Sequence, residues 1–266
     1  MTLVRILLAA ALAGLPVMSL PATAQETETV QSAPQHSAWT RLLETYVIAG
    51  SDGVNRVDYA ALKANPADRA ALDAYIASFA DMDLSGTSPA AFAAWANLYN
   101  AVTVRYIVQN YPLRSIKDGS LFGGPWKKIK VTADGETVSL DEIEHKILRP
   151  RFKTPMVHYA INCAAFSCPN LQAKAWEEST LDADLTAAAR AYINNPRGVT
   201  VTDSGITVSS IYDWFEPDFG GSKQAVIAHL LKYADEDLAK EINANPRIRT
   251  YDYDWSLNDS QKADAE

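Results

Sequence analysis

The feature that most constrains the fold is one long apolar segment, SPAAFAAWANLYNAVTVRYIVQNYP. Ser88 and Pro89 are typical of a helix start, and Pro112 lies just beyond the predicted end. Because apolar residues fall on nearly every face, the helix must be enclosed by the rest of the chain. Asn97 and Asn100 share one face of it, and an unpaired buried amide costs about 1–3 kcal/mol. The two amides are therefore either structural hydrogen-bonding groups or the polar floor of a pocket.

Several alternating segments predict strands around this helix. WKKIKVTADGETVSL predicts a hairpin turning at Asp134-Gly135, and GVTVTDSGITVSS predicts a second one turning between Asp203 and Gly205. MVHYAIN is typical of a short buried strand, and IRTYDYDWSLN alternates like a final strand. In that last segment, an aromatic inner face is the favoured interpretation over a sugar-binding platform.

Other segments predict helices. One begins at Asn65 with Pro66 in its first turn, and another follows the capping-box sequence SLDE, residues 139–142. A third is capped by Thr180, and two more are expected around 209–215 and 222–234.

These elements predict one mostly helical α+β domain around an antiparallel sheet, spanning residues 37–258. Residues 25–36 are expected to be a flexible leader and 259–266 a polar tail. No internal repeat or linker divides the segment between them, and the chain length of 266 residues is ample for one such core.

The N-terminus predicts export. Residues 1–24 combine Arg5, an apolar run and a small-residue ending at Ala24, which together are typical of a secretory signal peptide. A membrane anchor is the alternative, but Pro16 and Pro21 interrupt a run already shorter than the roughly 20 residues that span a bilayer. The mature chain is expected to be periplasmic or secreted, without stable membrane insertion after cleavage.

The net charge of −8 argues against nucleic acid as a partner, because phosphate binding requires a positive surface. An unknown ligand or an envelope protein is the expected partner. No cofactor is predicted.

Both cysteines and one of the four histidines lie in the stretch VHYAINCAAFSCPNL. One hypothesis is a disulfide between Cys163 and Cys168, with Cα atoms within about 7 Å. A second is a thiol active site: Cys168 would cap a short helix beginning at Pro169, and His158, on a strand, would be its base. A third is a zinc site with both cysteines, His158 and His145 as its four ligands, although no standard ligand spacing is present.

Glu144 and His145 are neighbours on the helix after SLDE, which is expected to stop before Pro150. Adjacent helical residues point about 100° apart, so the two are not expected to face one direction. In the simplest interpretation Glu144 pairs with a basic group such as Arg149, while His145 caps or packs.

The chain resembles domain-of-unknown-function family 547. The resemblance rests on VDYAAL, AAWANLYNAVTVRYI, SLDEIEHKILRP, VHYAINCAAFSCPNL, SSIYDWFEPDFGG and YDYDWSLN, and it covers roughly residues 37–258. Residues matching the family pattern are Trp95, Asn97, Tyr99, Asn100, Ile143, Glu144, His145, His158, Ala160, Cys163, Ser167, Cys168 and Pro169. The family has no settled activity. Similarity to papain-like and transglutaminase-like enzymes is looser, because the long helix offers asparagine where those enzymes place their cysteine.

Taken together, these patterns predict a polar pocket. Its candidate catalytic residues are Cys168, His158, Glu144 and His145, and its candidate binding residues are Asn97, Asn100, Tyr99 and Cys163. The predicted function is a hydrolase or acyl/amide transferase with Cys168 as nucleophile and His158 as base. The alternatives are a non-catalytic envelope binding or scaffold domain with a disulfide, and a zinc-supported hydrolase.

Overall fold

The computed structural model describes residues 35–118 and 124–262, so the predicted signal peptide and almost all of the leader lie outside the described residues. The helices are α1 (Ser37–Tyr46), α2 (Tyr59–Ala64), α3 (Pro66–Ala77), α4 (Pro89–Asn110), α5 (Leu140–Glu142), α6 (Arg149–Phe152), α7 (Val157–Ala160), α8 (Leu181–Ile193), α9 (Ile211–Trp214), α10 (Lys223–Tyr233) and α11 (Glu236–Ala244). A π-helical segment, Ile143–Leu148, joins α5 to α6. The strands are β1 (Val47–Ala49), β2 (Asn55–Val57), β3 (Lys130–Ala133), β4 (Glu136–Ser139), β5 (Val199–Thr202), β6 (Gly205–Ser209) and β7 (Ile248–Asp252).

Helix α4 forms the centre of the fold, as its composition predicts. The Ser88 hydroxyl accepts a hydrogen bond from the amide of Ala91, and Pro89 opens the helix. Buried residues occur on every face of α4, and α2, α3, α5 and the π-helical segment all pack against it. Among the described residues, no helix is both long and apolar enough to cross a membrane.

The strands form three small sheets rather than the single antiparallel sheet that was expected. β1 pairs with β2, β3 with β4, and β5 with β6 and then β7. Both predicted hairpins are confirmed, and positive φ angles at Asp134 and Gly135 give the first a tight turn. β7 pairs with β6 in parallel, because three helices intervene and return the chain in the same direction. The α+β class with helices predominating is confirmed.

Three local predictions are wrong near the cysteines and Glu144. His158 lies on helix α7 rather than on a strand, and no helix begins at Pro169, so Cys168 is not a helix N-cap. The helix after SLDE continues through Pro150 into α6. The Arg149 amide bonds to the Glu144 carbonyl, five residues back, so the turn before Pro150 is wider than an α-helical turn. The wider turn accommodates Pro150, which has no N–H to donate.

The folded segment extends beyond both predicted boundaries. His36, expected in the leader, is buried, and its Nδ1 lies 2.7 Å from the Tyr75 hydroxyl. Asp259, expected in the tail, is also buried and accepts a hydrogen bond of 2.7 Å from the Tyr111 hydroxyl.

Candidate functional site

The π-helical segment forms one wall of a cavity of about 490 Å³. A capping box starts the helix: the Ser139 hydroxyl accepts from the Glu142 amide, and the Glu142 carboxylate accepts from the Ser139 amide. Beyond it the turn widens, and Asp141, Glu144 and His145 all line the cavity. The expectation that Glu144 and His145 face apart is therefore wrong. π-helical turns are frequent at functional sites.

The Glu144 carboxyl is half-buried in this wall. Burial raises the pKa of Glu144 to about 7, against the opposing effects of the Arg149 charge and of the Tyr99 hydroxyl. The Tyr99 hydroxyl is its hydrogen-bond donor, at a long 3.4 Å. A carboxyl group with a pKa near neutrality both accepts and releases a proton at physiological pH, as acid–base catalysis requires.

The expected pairing of Glu144 with Arg149 is not found, because Arg149 pairs with Asp218. Its Nε and Nη2 donate to the two Asp218 oxygens at 2.5 and 3.1 Å. The remaining Nη1 lies 3.1 Å from Nδ1 of His145, so that ring nitrogen accepts the bond. Desolvation lowers the pKa of His145, which favours the neutral ring.

His158 is held by the same aspartate. Its Nε2 lies 2.7 Å from Asp218 Oδ2, and the ring stacks on Phe215 with centroids 4.2 Å apart. Hydrogen bonds from His158 and Arg149 hold the pKa of Asp218 well below its usual range, while burial lowers the pKa of His158 despite that aspartate. An ionised carboxylate only accepts hydrogen bonds, so we assign the proton of the neutral ring to Nε2. Nδ1 is then the unprotonated nitrogen of the ring.

Sequence reasoning missed Asp218, although it lies in the block SSIYDWFEPDFGG that carries the family resemblance. Asp218 sits in a single 3₁₀ turn, Glu216–Phe219, which ends at Gly220 with a φ of 101°. The glycine after the acidic residue was the available signal, because this left-handed conformation strongly favours glycine and marks an ordered turn.

The wall that faces these polar groups is aromatic. Trp255 packs on Trp214 and Tyr253, with ring centroids 5.5 and 4.6 Å apart, and Trp126 meets it edge-on. Trp214 remains 45 % exposed. β7 confirms the predicted final strand, but Tyr253 and Trp255 lie beyond its end and line the cavity. Flat apolar walls with a few convergent polar groups are characteristic of small-molecule sites.

The two cysteines form a disulfide in the cavity wall. Their Cα atoms are 6.4 Å apart, which confirms the prediction of proximity. Arg197 holds the loop between them, its Nη1 donating to the carbonyls of Phe166 and Cys168 at 2.9 and 2.8 Å. Bonding in the disulfide leaves Cys168 without a thiol for the predicted nucleophile.

Asn97 and Asn100 are engaged by the backbone. The Asn97 amide donates to the Trp176 carbonyl at 2.8 Å and accepts from the Trp176 amide at 3.0 Å. Asn100 donates to the carbonyl of Ala160 at 2.9 Å and accepts from the amide of Asn162 at 2.8 Å. Asn100 thus fixes the segment that leads to Cys163, and Asn97 fixes the chain after Cys168. Tyr99, between them on the helix, lines the cavity.

The described residues contain no group of three or more His, Cys, Asp or Glu side chains arranged to hold a metal ion. Of the four ligands considered for zinc, both cysteines are in the disulfide and His158 is bonded to Asp218.

Residues 85–193 match the family model described as "Protein of unknown function, DUF547". The matched segment contains α4, the π-helical segment and both cysteines, which supports the resemblance seen in the sequence. No curated protein and no solved structure matches the chain.

Proposed function

We propose that the protein hydrolyses or transfers acyl groups by acid–base catalysis in the cavity. The proposal rests on the cavity because residues 85–193 match domain-of-unknown-function family 547, whose activity is not known. The observation that carries this proposal is that Glu144 and His158 line the same cavity, with His158 held from behind by Asp218. Two titratable groups in different environments, one kept near neutrality and one oriented by a carboxylate, are the arrangement that divides acid and base roles.

In the proposed reaction, His158 takes a proton through Nδ1 from an attacking water or acceptor hydroxyl. Asp218 holds the ring in the required tautomer and stabilises the imidazolium that forms. Glu144, protonated at the start, donates its proton to the leaving group and is left as a carboxylate, and the proton taken up by His158 then passes through solvent to Glu144 and restores the starting state. Water is the nucleophile in place of Cys168, because the two sulfurs are bonded to each other in the disulfide.

A panel of 4-nitrophenyl esters and anilides of increasing size tests this proposal. Replacing His158 or Glu144 by Gln should lower kcat/KM on any hydrolysed substrate by about 10²–10⁴-fold. Glu136→Gln is the matched control, because Glu136 is exposed on the neighbouring strand β4 and should retain full activity. Turnover that survives both cavity substitutions would refute this mechanism.

A second candidate is a binding domain without catalysis, and the aromatic wall favours it. Trp126, Trp214 and Trp255 supply stacking surface that requires no proton transfer. In that case a ligand would quench tryptophan fluorescence equally in the wild type and in Glu144→Gln, with no substrate consumed.

We place either function in the periplasm or outside the cell. The Cys163–Cys168 bridge supports an oxidising compartment, and the N-terminal sequence predicts cleavage after Ala24. Mass spectrometry of the exported protein should then find Gln25 as its first residue, and a retained Met1 would contradict export by this route.

A further inference from the structure

We propose that the Cys163–Cys168 disulfide is chemically active: a small anionic thiol entering the cavity attacks Cys163 Sγ and expels Cys168 as a thiolate. This thiol–disulfide exchange is independent of the proposed hydrolysis, because it uses different atoms of the same cavity. Four observations support it: which sulfur is accessible, which sulfur is stabilised as a leaving group, the proton held by Tyr253, and the charge at the cavity.

The two cysteine residues differ in accessibility. Both cysteines line the cavity, but Cys163 is half-buried whereas Cys168 is only 2 % exposed. A cavity of about 490 Å³ admits a tripeptide-sized thiol and excludes a folded protein surface. An incoming thiolate therefore meets Cys163 first.

Cys168 is the better leaving group. Its Sγ accepts a hydrogen bond from the Cys163 amide at 3.0 Å, and the Tyr253 hydroxyl lies 3.1 Å away. The same hydroxyl lies 3.3 Å from Cys163 Sγ, and its single proton can turn to whichever sulfur becomes negative. Two donors aimed at one sulfur stabilise it as a thiolate, and a more stable thiolate leaves faster in disulfide exchange.

Tyr253 keeps the proton that this role requires. Burial, the neighbouring Tyr192 and the charge of Glu144 raise the pKa of Tyr253 well above its usual value. The hydroxyl thus stays a donor throughout the pH range in which external thiols are reactive.

The reaction balances as follows. The incoming thiol loses its proton to water, its sulfur bonds to Cys163 Sγ, and the Cys163–Cys168 bond breaks with its electron pair on Cys168. A second molecule of the same thiol then attacks the mixed disulfide and releases Cys163. Overall, two external thiols are oxidised to their disulfide, and Cys163 and Cys168 are reduced. Cys168 takes a proton from water when it is not held as a thiolate.

The cavity is lined by the acidic residues Asp141 and Glu144 and by two lysines, and the lysines are the groups that would attract an anionic thiol. Lys127 and Lys128 both line it and are exposed, and neither forms an ion pair with a described residue. A thiol that carries carboxylates, such as glutathione, would be attracted by these ammonium groups, whereas a cationic thiol such as cysteamine would not.

Single-cysteine variants of the full chain test the direction of attack. With glutathione disulfide, Cys168→Ser should form a mixed disulfide at Cys163 at least about ten times faster than Cys163→Ser forms one at Cys168, because only Cys163 is accessible. In urea the two rates should become equal, which shows that the folded cavity causes the difference. Equal or reversed rates in the folded proteins would overturn the proposal.

Tyr253→Phe tests the leaving-group argument with both cysteines retained. Reduction of the disulfide by glutathione, followed by alkylation and mass spectrometry, should slow by about five-fold when the hydroxyl is lost. An unchanged or faster rate would contradict stabilisation of Cys168 by Tyr253.

The double variant Lys127→Ala, Lys128→Ala tests the charge of the thiol. It should slow reduction by glutathione several-fold and leave reduction by cysteamine unchanged, and added salt should remove the wild-type preference. Equal effects on both thiols would refute the anionic preference. Faster reduction by a cysteine on a folded protein than by glutathione would refute a small thiol as the reactant.

Discussion

Asn100 on α4 is buried and Glu144 on the cavity wall is half-buried, and the protein satisfies the two side chains very differently. Asn100 uses both ends of its amide on backbone groups, at 2.9 and 2.8 Å. Among the described residues, Glu144 has one donor, the Tyr99 hydroxyl at 3.4 Å, and its pKa is raised by burial. A polar group whose hydrogen-bond partners are all within the fold contributes to stability. A polar group in a cavity that can still form further hydrogen bonds is available to a ligand.

The largest expected effect on stability comes from replacing Asn100, whose amide bonds backbone groups at both ends. Asn100→Ala should lower the free energy of unfolding by about 3 kcal/mol, because the Asn162 amide is left buried without its acceptor. Asn110→Ala is the matched control on the same helix, since its exposed side chain only bonds back to Tyr106 and should cost less than about 0.5 kcal/mol. Urea denaturation measures both. Similar losses would show that Asn100 is no more structural than a surface residue.

The second prediction concerns Glu144 and pH. Its pKa rises from an ordinary 4.5 to about 7 on folding, so the folded state keeps a proton that the unfolded state loses. The stability due to this proton is complete below pH 4.5 and declines as pH rises through 7. Glu144→Gln mimics the protonated acid, so its stability relative to the wild type should increase by about 2 kcal/mol across that window. This value is below the full linkage value because the carboxyl is only half-buried in the cavity wall.

Urea denaturation at pH 4.5 and pH 8 measures that difference, with Glu136→Gln as the control expected to show none. If the free energy of unfolding changed with pH to the same extent in Glu144→Gln and in the wild type, the carboxyl would be solvated like a surface group. The contrast with Asn100 would then be lost.

The sequence predicted a region well where the interacting residues are close in the chain, and poorly where they are far apart in the chain. The cap at Ser88, the apolar faces of α4 and the turn at Asp134-Gly135 depend on neighbours in the chain, so local patterns predicted them. The proximity of Cys163 and Cys168 is equally local, because only four residues separate them.

The cavity depends on longer-range contacts. His158 and Asp218 are 60 residues apart, and nothing in either segment indicates that they pair. The π-helical turn was missed because its bonding pattern is set by packing against α4 and by Pro150, while the sequence favours an ordinary helix. The short α7 was predicted as a strand because a short, mostly apolar run fits either structure.

The smallest effect is expected from the bond that joins the two regions, between Tyr99 on α4 and Glu144 on the cavity wall. At 3.4 Å it is longer than an ordinary O–H···O bond, so Tyr99→Phe should change the free energy of unfolding by less than about 1 kcal/mol. The hydroxyl stabilises the charged carboxylate, so its removal should move the pKa of Glu144 further above 7. Carbon-13 NMR of the Glu144 carboxyl follows that pKa directly. Tyr106→Phe, one heptad along the same helix, is the control and should leave it unchanged. A fall in the pKa on loss of the Tyr99 hydroxyl would mean that the hydroxyl favours the neutral acid, and Glu144 would then be a satisfied group like Asn100.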